Sequence, residues 1–319
     1  MNKKNLWILF LSIVMVFGIS ACKKEEPPVE EPMSPQVEEP VEEIEEDEKT
    51  AILDEYQKLV DSEKSVGQLN EFIKENLPKV GQLEGNKMLD SLENSMEGEL
   101  DELRIELEEM DTESELVYLI DFDGYLKEDK IEEIKNEELK AKVKEAYNNY
   151  YRILGREGTI VPAIDYTKLM DFKDKVSLEW QEYLELQSEE LENTAYADGA
   201  LVITFDELAA RILKIENYLN RYINGPRQDA LLENYEMHLT NYYKGLPSTP
   251  IAEYDTNLIF ENVFKSYQNT GANQGYVTSS MIQEYVKAIR DNEMIIDDSI
   301  MKLADQYIEE SVRVLREFK

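Results

Sequence analysis

The spacing of apolar residues constrains this chain most strongly, because from Thr50 onward they recur at intervals of three and four. That interval places apolar side chains on one face of an α-helix, whereas a half-buried strand would alternate at every second residue. The clearest stripe runs from Leu89 to Met110 and is close to a heptad repeat, which is typical of a long helix in a helical hairpin. The sequence therefore predicts an all-α multi-helix bundle with little or no sheet.

Helix start and stop signals divide this pattern into separate units. Capping boxes at Thr112–Glu115 and Thr204–Glu207 mark two of the starts, and Pro78 and Gly155 mark two of the ends. The predicted helices share an apolar stripe and cover about 50–77, 89–110, 115–120, 131–154, 169–193, 205–223, 227–244, 254–269, 279–291 and 297–318.

Two short extended stretches interrupt the helices, namely TIVPAI at 159–164 and ALVIT at 200–204. They could pair with each other as a small ribbon, and 245–250 is expected to be a loop. The first stretch lies in a glycine- and proline-containing break. We therefore predict a subdomain of long helices at 50–155 and a subdomain of shorter helices at 156–319.

The charge balance excludes one class of partner. The 319 residues include 34 Lys and Arg against 69 Asp and Glu, which gives a formal net charge of −35. Neutralisation of phosphates supplies most of the affinity for nucleic acids, and such an acidic surface repels them. We therefore expect no nucleic-acid partner.

The N-terminus carries a pattern of its own. Lys3 and Lys4 precede an uncharged run from Leu6 to Ala21, which at 16 residues is shorter than the ~20 that a membrane-spanning helix needs. A charged start followed by a short apolar run is typical of a secretory signal peptide. An uncleaved signal anchor is the alternative interpretation.

The end of this run, Ile19-Ser20-Ala21-Cys22, resembles the lipobox of bacterial lipoprotein precursors. The resemblance covers the first 22 residues only. It implies a signal peptide at 1–21, cleavage before Cys22 and attachment of diacylglycerol to its thiol. The protein is then expected on the extracytoplasmic face of a membrane, at the cell surface or in a periplasm. Cys22 is the only cysteine, so no intramolecular disulfide is expected.

Residues 22–49 form an acidic linker rich in proline and glutamate. Between Lys23 and Glu48 the chain has twelve acidic residues and five of its ten prolines, and it has almost nothing to bury. Such a segment is expected to stay extended and disordered, reaching about 80 Å at ~3.1 Å per residue. We interpret it as a spacer between the lipid anchor and the helical part.

The stretch LIDFDGYLKEDK at 119–130 has a superficial likeness to a calcium-binding loop. With Gly124 at the sixth position, Asp121 and Asp123 take ligand positions three and five. Lys130 then stands where a bidentate glutamate should be, and Leu119 occupies the first position. We therefore expect no calcium here and no other cofactor, and we interpret the stretch as a turn between helices.

Enzyme motifs are weak throughout the chain. His238 is the only histidine, which excludes multi-histidine zinc sites, and no nucleophile elbow, P-loop or Rossmann glycine pattern is present. His238 is expected to lie at the boundary of the core with an ordinary hydrogen bond. Pairs of carboxylates for glycoside cleavage are too numerous among the 69 acids for any one to stand out.

Tyrosine is unusually frequent, with 19 Tyr against nine Phe and two Trp. Several tyrosines lie with arginines on two predicted helices joined by Gly225-Pro226, where they are candidates for stacking on a sugar or a peptide. These candidate ligand-binding residues are Tyr218, Arg221, Tyr222, Arg227, Tyr235, His238 and Tyr242. The half-buried flank of an amphipathic helix explains the tyrosines more simply.

The sequence thus favours an exported, lipid-anchored helical protein that acts by contact with an envelope protein or glycan, without catalysis. A lipoprotein that binds a carbohydrate or small ligand in a tyrosine-lined cleft is the alternative. A hydrolase acting on the cell wall has less support, because it needs two carboxylates in one groove, one of them with a raised pKa.

Overall fold

The computed structural model describes residues 46–62, 65–121 and 124–317. This part of the chain is mostly helical and has only small two-stranded sheets, so the all-α prediction is confirmed. The α-helices are α1 (Glu46–Asp61), α2 (Val66–Asn76), α3 (Gln82–Met110), α4 (Glu115–Leu119), α5 (Glu137–Asn148), α6 (Tyr166–Leu169), α7 (Leu178–Glu192), α8 (Phe205–Arg221), α9 (Gln228–Lys244), α10 (Glu261–Gly271), α11 (Val277–Asp291) and α12 (Asp298–Glu317).

The strands form three antiparallel hairpins among the residues described, each between neighbours in sequence. They are β1 (Tyr151–Arg156), β2 (Thr159–Ile164), β3 (Tyr196–Ala197), β4 (Ala200–Leu201), β5 (Gly245–Leu246) and β6 (Thr249–Pro250). Short 3₁₀-helices cover Leu77–Lys79, Glu128–Glu133 and Met170–Lys175.

The long helix predicted from the heptad-like stripe is confirmed as α3. It has 29 residues, and it buries Leu89, Leu92 and Met96 together with Leu103 and Leu107. Their spacing of three and four keeps them on one face, which packs against α1, α2, α5 and β2. The same helix presents Glu93 on this buried face, which matters for the site described below.

The single helix predicted to end at Pro78 is wrong, because the chain forms α1 and α2 separately. After α1, the hydroxyl of Ser62 donates to the backbone carbonyl of Leu59 at 2.9 Å. A serine that bonds the backbone in this way competes with continuation of the helix. Pro78 itself lies in the 3₁₀ turn that follows α2.

The capping box predicted at Thr112–Glu115 is also wrong. The two carboxylate oxygens of Asp111 accept the backbone N–H groups of Glu115 and Leu116, at 2.5 and 3.1 Å. The Glu115 side chain instead accepts the backbone N–H of Lys135 at 2.8 Å. Asp111 therefore follows the end of α3 and supplies the cap of α4.

The single long helix predicted at 131–154 is wrong, because only α5 in the middle of this range is α-helical and a strand follows it. The predicted helix is replaced by the 3₁₀-helix at Glu128–Glu133 and by α5, whose start is capped by the Asn136 side chain. Tyr150 has a φ of +66°, which turns the chain out of the helix and into β1. β1 pairs along its whole length with β2, from Tyr151 opposite Ile164 to Arg156 opposite Thr159.

The predicted ribbon between TIVPAI and ALVIT is wrong, because each stretch pairs with the chain just before it. The expected loop at 245–250 contains the β5–β6 hairpin. The helix predicted at 254–269 begins only at Glu261, because residues 252–259 form a tight turn closed by a bridge between Ala252 and Ile259.

The capping box at Thr204 is confirmed, with the Thr204 and Glu207 side chains each bonded to the backbone of the other residue. Buried residues from both sides of residue 155 join one hydrophobic core. The division into two subdomains at residues 155 and 156 stays a prediction.

Candidate functional site

The seven candidate ligand-binding residues lie on α8, on the turn after it and on α9, and their contacts fall into separate groups. Arg227 reaches α3 from the turn, whereas Arg221 and Tyr222 reach α7. His238 contacts the β3 hairpin and α7, and Tyr235 and Tyr242 point into the core. The structure therefore does not bring the seven together around one ligand.

Arg227 joins a polar group centred on the buried Glu93 that we call the Glu93 cluster: Glu93, Asp90, Tyr166, Tyr183 and Arg227. Arg227 Nε donates to Glu93 Oε2 at 3.0 Å, and Arg227 Nη1 lies 3.2 Å from Asp90 Oδ1. The Tyr166 hydroxyl donates to Glu93 Oε1 at 2.7 Å, and the Tyr183 hydroxyl donates to the same oxygen. The cluster ties α3, α6 and α7 to the α8–α9 turn.

Burial sets the electrostatics of this cluster. The Glu93 side chain is 1% exposed, and its desolvation raises the pKa of its carboxyl above the ordinary value of 4.5. The charge of Arg227 and the tyrosine hydroxyls oppose that rise without cancelling it. Arg227 itself has a φ of +53°, so the turn holds it in a left-handed conformation that places its side chain over α3.

Arg221 and Tyr222 form a more exposed group with Glu182 of α7. Arg221 Nη1 donates to Glu182 Oε1 at 2.5 Å, and the Tyr222 hydroxyl donates to the same oxygen at 2.8 Å. The Arg221 side chain is 46% exposed. Exposed ion pairs of this kind contribute about 0–1 kcal/mol.

His238 is fully buried rather than at the boundary of the core, where the sequence placed it. The Tyr196 hydroxyl lies 2.7 Å from His238 Nδ1, and His238 Nε2 lies 3.3 Å from Glu190 Oε1 without the alignment of a hydrogen bond. Glu190 also binds Arg211 at 3.1 Å. Burial alone would raise the pKa of Glu190, but the neighbouring His238 and Arg211 lower it.

Tyr235 and Tyr242 are fully buried core residues, whereas the sequence predicted that they lie on the half-buried flank of a helix. The Tyr235 hydroxyl bonds Thr278 Oγ1 at 2.7 Å, and the Tyr242 hydroxyl bonds Ser266 and Thr270 at 2.9 and 2.8 Å. Tyr218 is 1% exposed as well. These hydroxyls serve packing between helices, so tyrosine acts here as a large core residue with an internal partner.

The described surface also has open grooves. One of about 570 Å³ runs between α9 and α12 over Ile308 and Val312, and one of about 600 Å³ lies between α10 and α11 beside Lys287 and Arg290. A smaller polar groove of about 230 Å³ is lined by ten residues that include four glutamates and Lys142. Neither Glu93 nor Glu216 lines any of these grooves.

Comparison with family models, curated proteins and solved structures found no match for this chain.

The candidate calcium loop is described in part. Asp121 is exposed and lies 3.7 Å from Lys127, while Lys130 pairs with Glu133 at 2.8 Å; Asp123 is outside the described residues. Within the parts of the chain that the structure covers, no group of three or more His, Cys, Asp or Glu is arranged to hold a metal ion.

The lipobox residues Ile19, Ser20, Ala21 and Cys22 also lie outside the described residues. No helix among those described combines the length and the apolar composition that crossing a bilayer requires.

Sequence reasoning missed two buried glutamates, Glu93 and Glu216. The Glu216 carboxylate accepts the backbone N–H groups of Val277 and Thr278, at 2.5 and 3.0 Å, so α8 caps the start of α11. A signal was present in the spacing. Glu93 follows Leu89 by four residues, and Glu216 follows Ile212 by four residues, so each lies on the apolar face of its helix.

Because the pKa of both carboxyls is raised, we expect the free energy of unfolding to increase on mild acidification. Burial raises the pKa of Glu93 and of Glu216, so the folded state binds protons more tightly than the unfolded state between pH 4.5 and the raised values. The free energy of unfolding should therefore increase as pH falls from 7 toward 5. Near pH 4.5 the gain ends, because groups with a lowered pKa, such as Glu190, then begin to lose their contribution.

Urea unfolding at several pH values measures this effect. Glu93→Gln should flatten the slope between pH 7 and 5, whereas Glu102→Gln, an exposed position on the same helix, should leave it unchanged. The exposed control also subtracts the general relief of repulsion in a chain of net charge −35. Equal slopes in the native chain and in Glu93→Gln would contradict the prediction.

Proposed function

We propose that this chain is an exported, lipid-anchored helical protein that serves as an interaction module of the cell envelope and acts by contact rather than catalysis. The observation that best supports this concerns Glu93 and Glu216. Among the described glutamates, these two have a pKa that is raised overall, and burial is the cause. Both carboxylates accept hydrogen bonds from the chain itself, Glu93 from Arg227 and Glu216 from the backbone of Thr278. Neither carboxyl lines the three grooves described above, which favours a role in joining helices over proton transfer to a substrate.

A hydrolase has little support from the polar groove, although glutamates line it. Lys142 binds Glu106 and Glu145 at 2.7 and 3.4 Å, and Glu99 accepts the backbone N–H of Val66 at 3.2 Å. These carboxylates are engaged with the chain itself. A tyrosine-lined ligand cleft is likewise less supported, because Tyr235 and Tyr242 bond other core residues.

The signal peptide, the lipobox and the acidic linker supply the expected location. Because α1 begins at Glu46, the spacer is shorter than the expected 22–49, and an anchor at Cys22 followed by a spacer of about 70 Å would hold the helical part away from the membrane surface. The strongly acidic charge disfavours contact with anionic headgroups and nucleic acid, so a protein or glycan of the envelope is the expected partner.

Chemical crosslinking in the native envelope, followed by recovery of the full-length tagged chain, tests this proposal. We expect one envelope protein in near-equal amount. A Cys22→Ala variant, which lacks the lipidation site, is expected in the soluble fraction. Recovery of no partner protein, with folded and helical protein in the membrane fraction, would contradict contact with an envelope protein and favour a glycan or a small ligand instead.

A further inference from the structure

The turn between β6 and α10 displays an aromatic side chain to solvent. Tyr254 is 98% exposed, and Leu258, four residues later in the same turn, is 40% exposed. Leu258 bridges to Ile295 in the α11–α12 connection, and Ile295 and its neighbour Met294 are half-buried. We call this group of Tyr254, Leu258, Met294 and Ile295 the Tyr254 patch.

The backbone under this patch is held by a dense set of hydrogen bonds. Within the turn, Glu253 N–H donates to the Leu258 carbonyl and Asn257 N–H donates to the Glu253 carbonyl, each at 2.9 Å. The Thr256 hydroxyl donates to the Glu253 carboxylate at 2.7 Å. The turn is therefore fixed before any partner arrives, which reduces the entropy cost of binding.

The turn is also tied to the neighbouring α11–α12 connection. Ile259 N–H donates to the Met294 carbonyl at 3.0 Å, and Ile296 N–H donates to the Asn257 carbonyl at 2.8 Å. Three residues other than glycine have positive φ here, namely Asn257 at +54°, Glu293 at +54° and Met294 at +68°. Such conformations cost energy and persist where the surroundings hold them, often at functional places.

The charges around the patch indicate the kind of partner. Glu253, Asp255 and Glu293 are exposed and acidic, so apolar side chains are flanked by carboxylates. Binding sites commonly have an apolar centre with a polar rim, and tyrosine is enriched among the residues that contribute most. Anionic headgroups and nucleic acid would be repelled, whereas an apolar pocket bordered by Lys or Arg is complementary in charge.

We propose that the Tyr254 patch is the surface through which this chain binds a protein partner, whose pocket for Tyr254 is bordered by basic residues. This inference rests on the proposed contact function and assigns it to one surface.

The test compares two exposed tyrosines in the full-length chain. Tyr118, on α4, is 85% exposed and serves as the matched control. The photoreactive residue p-benzoylphenylalanine replaces Tyr254 or Tyr118, and crosslinked peptides from the native envelope are identified by mass spectrometry. In parallel, partner recovery is measured for Tyr254→Ala, Tyr118→Ala and the double variant Glu253→Gln/Asp255→Asn.

We expect a crosslink from position 254 to a segment rich in Lys and Arg of a single protein, and none from position 118. Tyr254→Ala should lower recovery of that protein about tenfold, as a binding residue worth about 1.4 kcal/mol would. Tyr118→Ala should have no effect. The double charge variant should weaken binding and reduce its dependence on salt.

Three results would overturn the inference. Equal partner recovery by the native chain and by Tyr254→Ala would show that the Tyr254 patch is not the binding surface, while the proposed contact function would still stand. A crosslink from position 254 to lipid, to glycan or to a second copy of the chain would identify a different occupant. Failure of the native chain to recover any partner would contradict the contact function and this inference together.

Discussion

Replacing Arg227 with alanine is expected to lower the free energy of unfolding by about 3 kcal/mol at pH 7. Arg227 is the cation bonded to Glu93, which is 1% exposed and belongs to a different part of the chain. Removal of Arg227 leaves a buried carboxylate without its counter-charge. The resulting loss of stability is larger than the net stabilisation that the ion pair itself provides. Urea denaturation followed by circular dichroism measures the loss.

The end of α8, just before the α8–α9 turn, offers the control. Arg221→Ala removes an exposed pair with Glu182 and should cost no more than about 1 kcal/mol. Because burial already raises the pKa of Glu93, the cost of Arg227→Ala should shrink as pH falls from 7 to 5 and the carboxyl takes up a proton. The double variant Glu93→Gln/Arg227→Ala should recover part of the loss. Equal losses for Arg227→Ala and Arg221→Ala would show that the Glu93 cluster does not join the helices as described.

Replacing Glu216 with alanine is expected to cost about 3 kcal/mol, because it leaves buried backbone donors without acceptors. Its carboxylate accepts the N–H groups of Val277 and Thr278 at the start of α11. Thr278 also bonds the buried hydroxyl of Tyr235, so the loss should extend toward α9. Chemical denaturation measures the cost, and amide hydrogen exchange at 277–280 should show the first turn of α11 opening more readily.

Asn217→Ala is the matched control for this prediction, since Asn217 is the exposed neighbour of Glu216 on α8. It should change stability by no more than about 0.5 kcal/mol. Glu216→Gln keeps an acceptor oxygen and should restore part of the loss while removing the contribution of Glu216 to the pH dependence. Unchanged exchange at 277–280 in Glu216→Ala would contradict the capping role.

Local patterns predicted those features that depend on neighbouring residues. The stripe from Leu89 to Met110 predicted α3, and Thr204 with Glu207 predicted the start of α8, because helical hydrogen bonds and caps join residues three or four apart. The pattern failed after Tyr147. There the apolar residues Tyr150 and Leu154 continue a helical spacing. The positive φ of Tyr150 instead turns the chain into β1, and Leu154 lies within β1, which pairs with β2.

The candidate site was predicted less well, because its residues were grouped by proximity in sequence. Arg227 was selected as a candidate ligand-binding residue, which stays a prediction; its observed partner Glu93 is 134 residues away, and no local pattern relates the two. His238 and Tyr242 lie four residues apart on α9, and their polar partners belong to different elements. The exposure of Tyr254 depends on a turn that the sequence predicted as helix.

By itself, the sequence determined that this chain is helical and acidic and where most of its helices lie, because composition and spacing act through local hydrogen bonds and side-chain faces. Tertiary structure alone decided that Glu93 meets Arg227, that Glu216 caps α11 and that β1 pairs with β2. Each of these contacts forms only after distant segments have packed together. A buried charge or an open N–H group acquires its partner from whichever segment the core brings beside it.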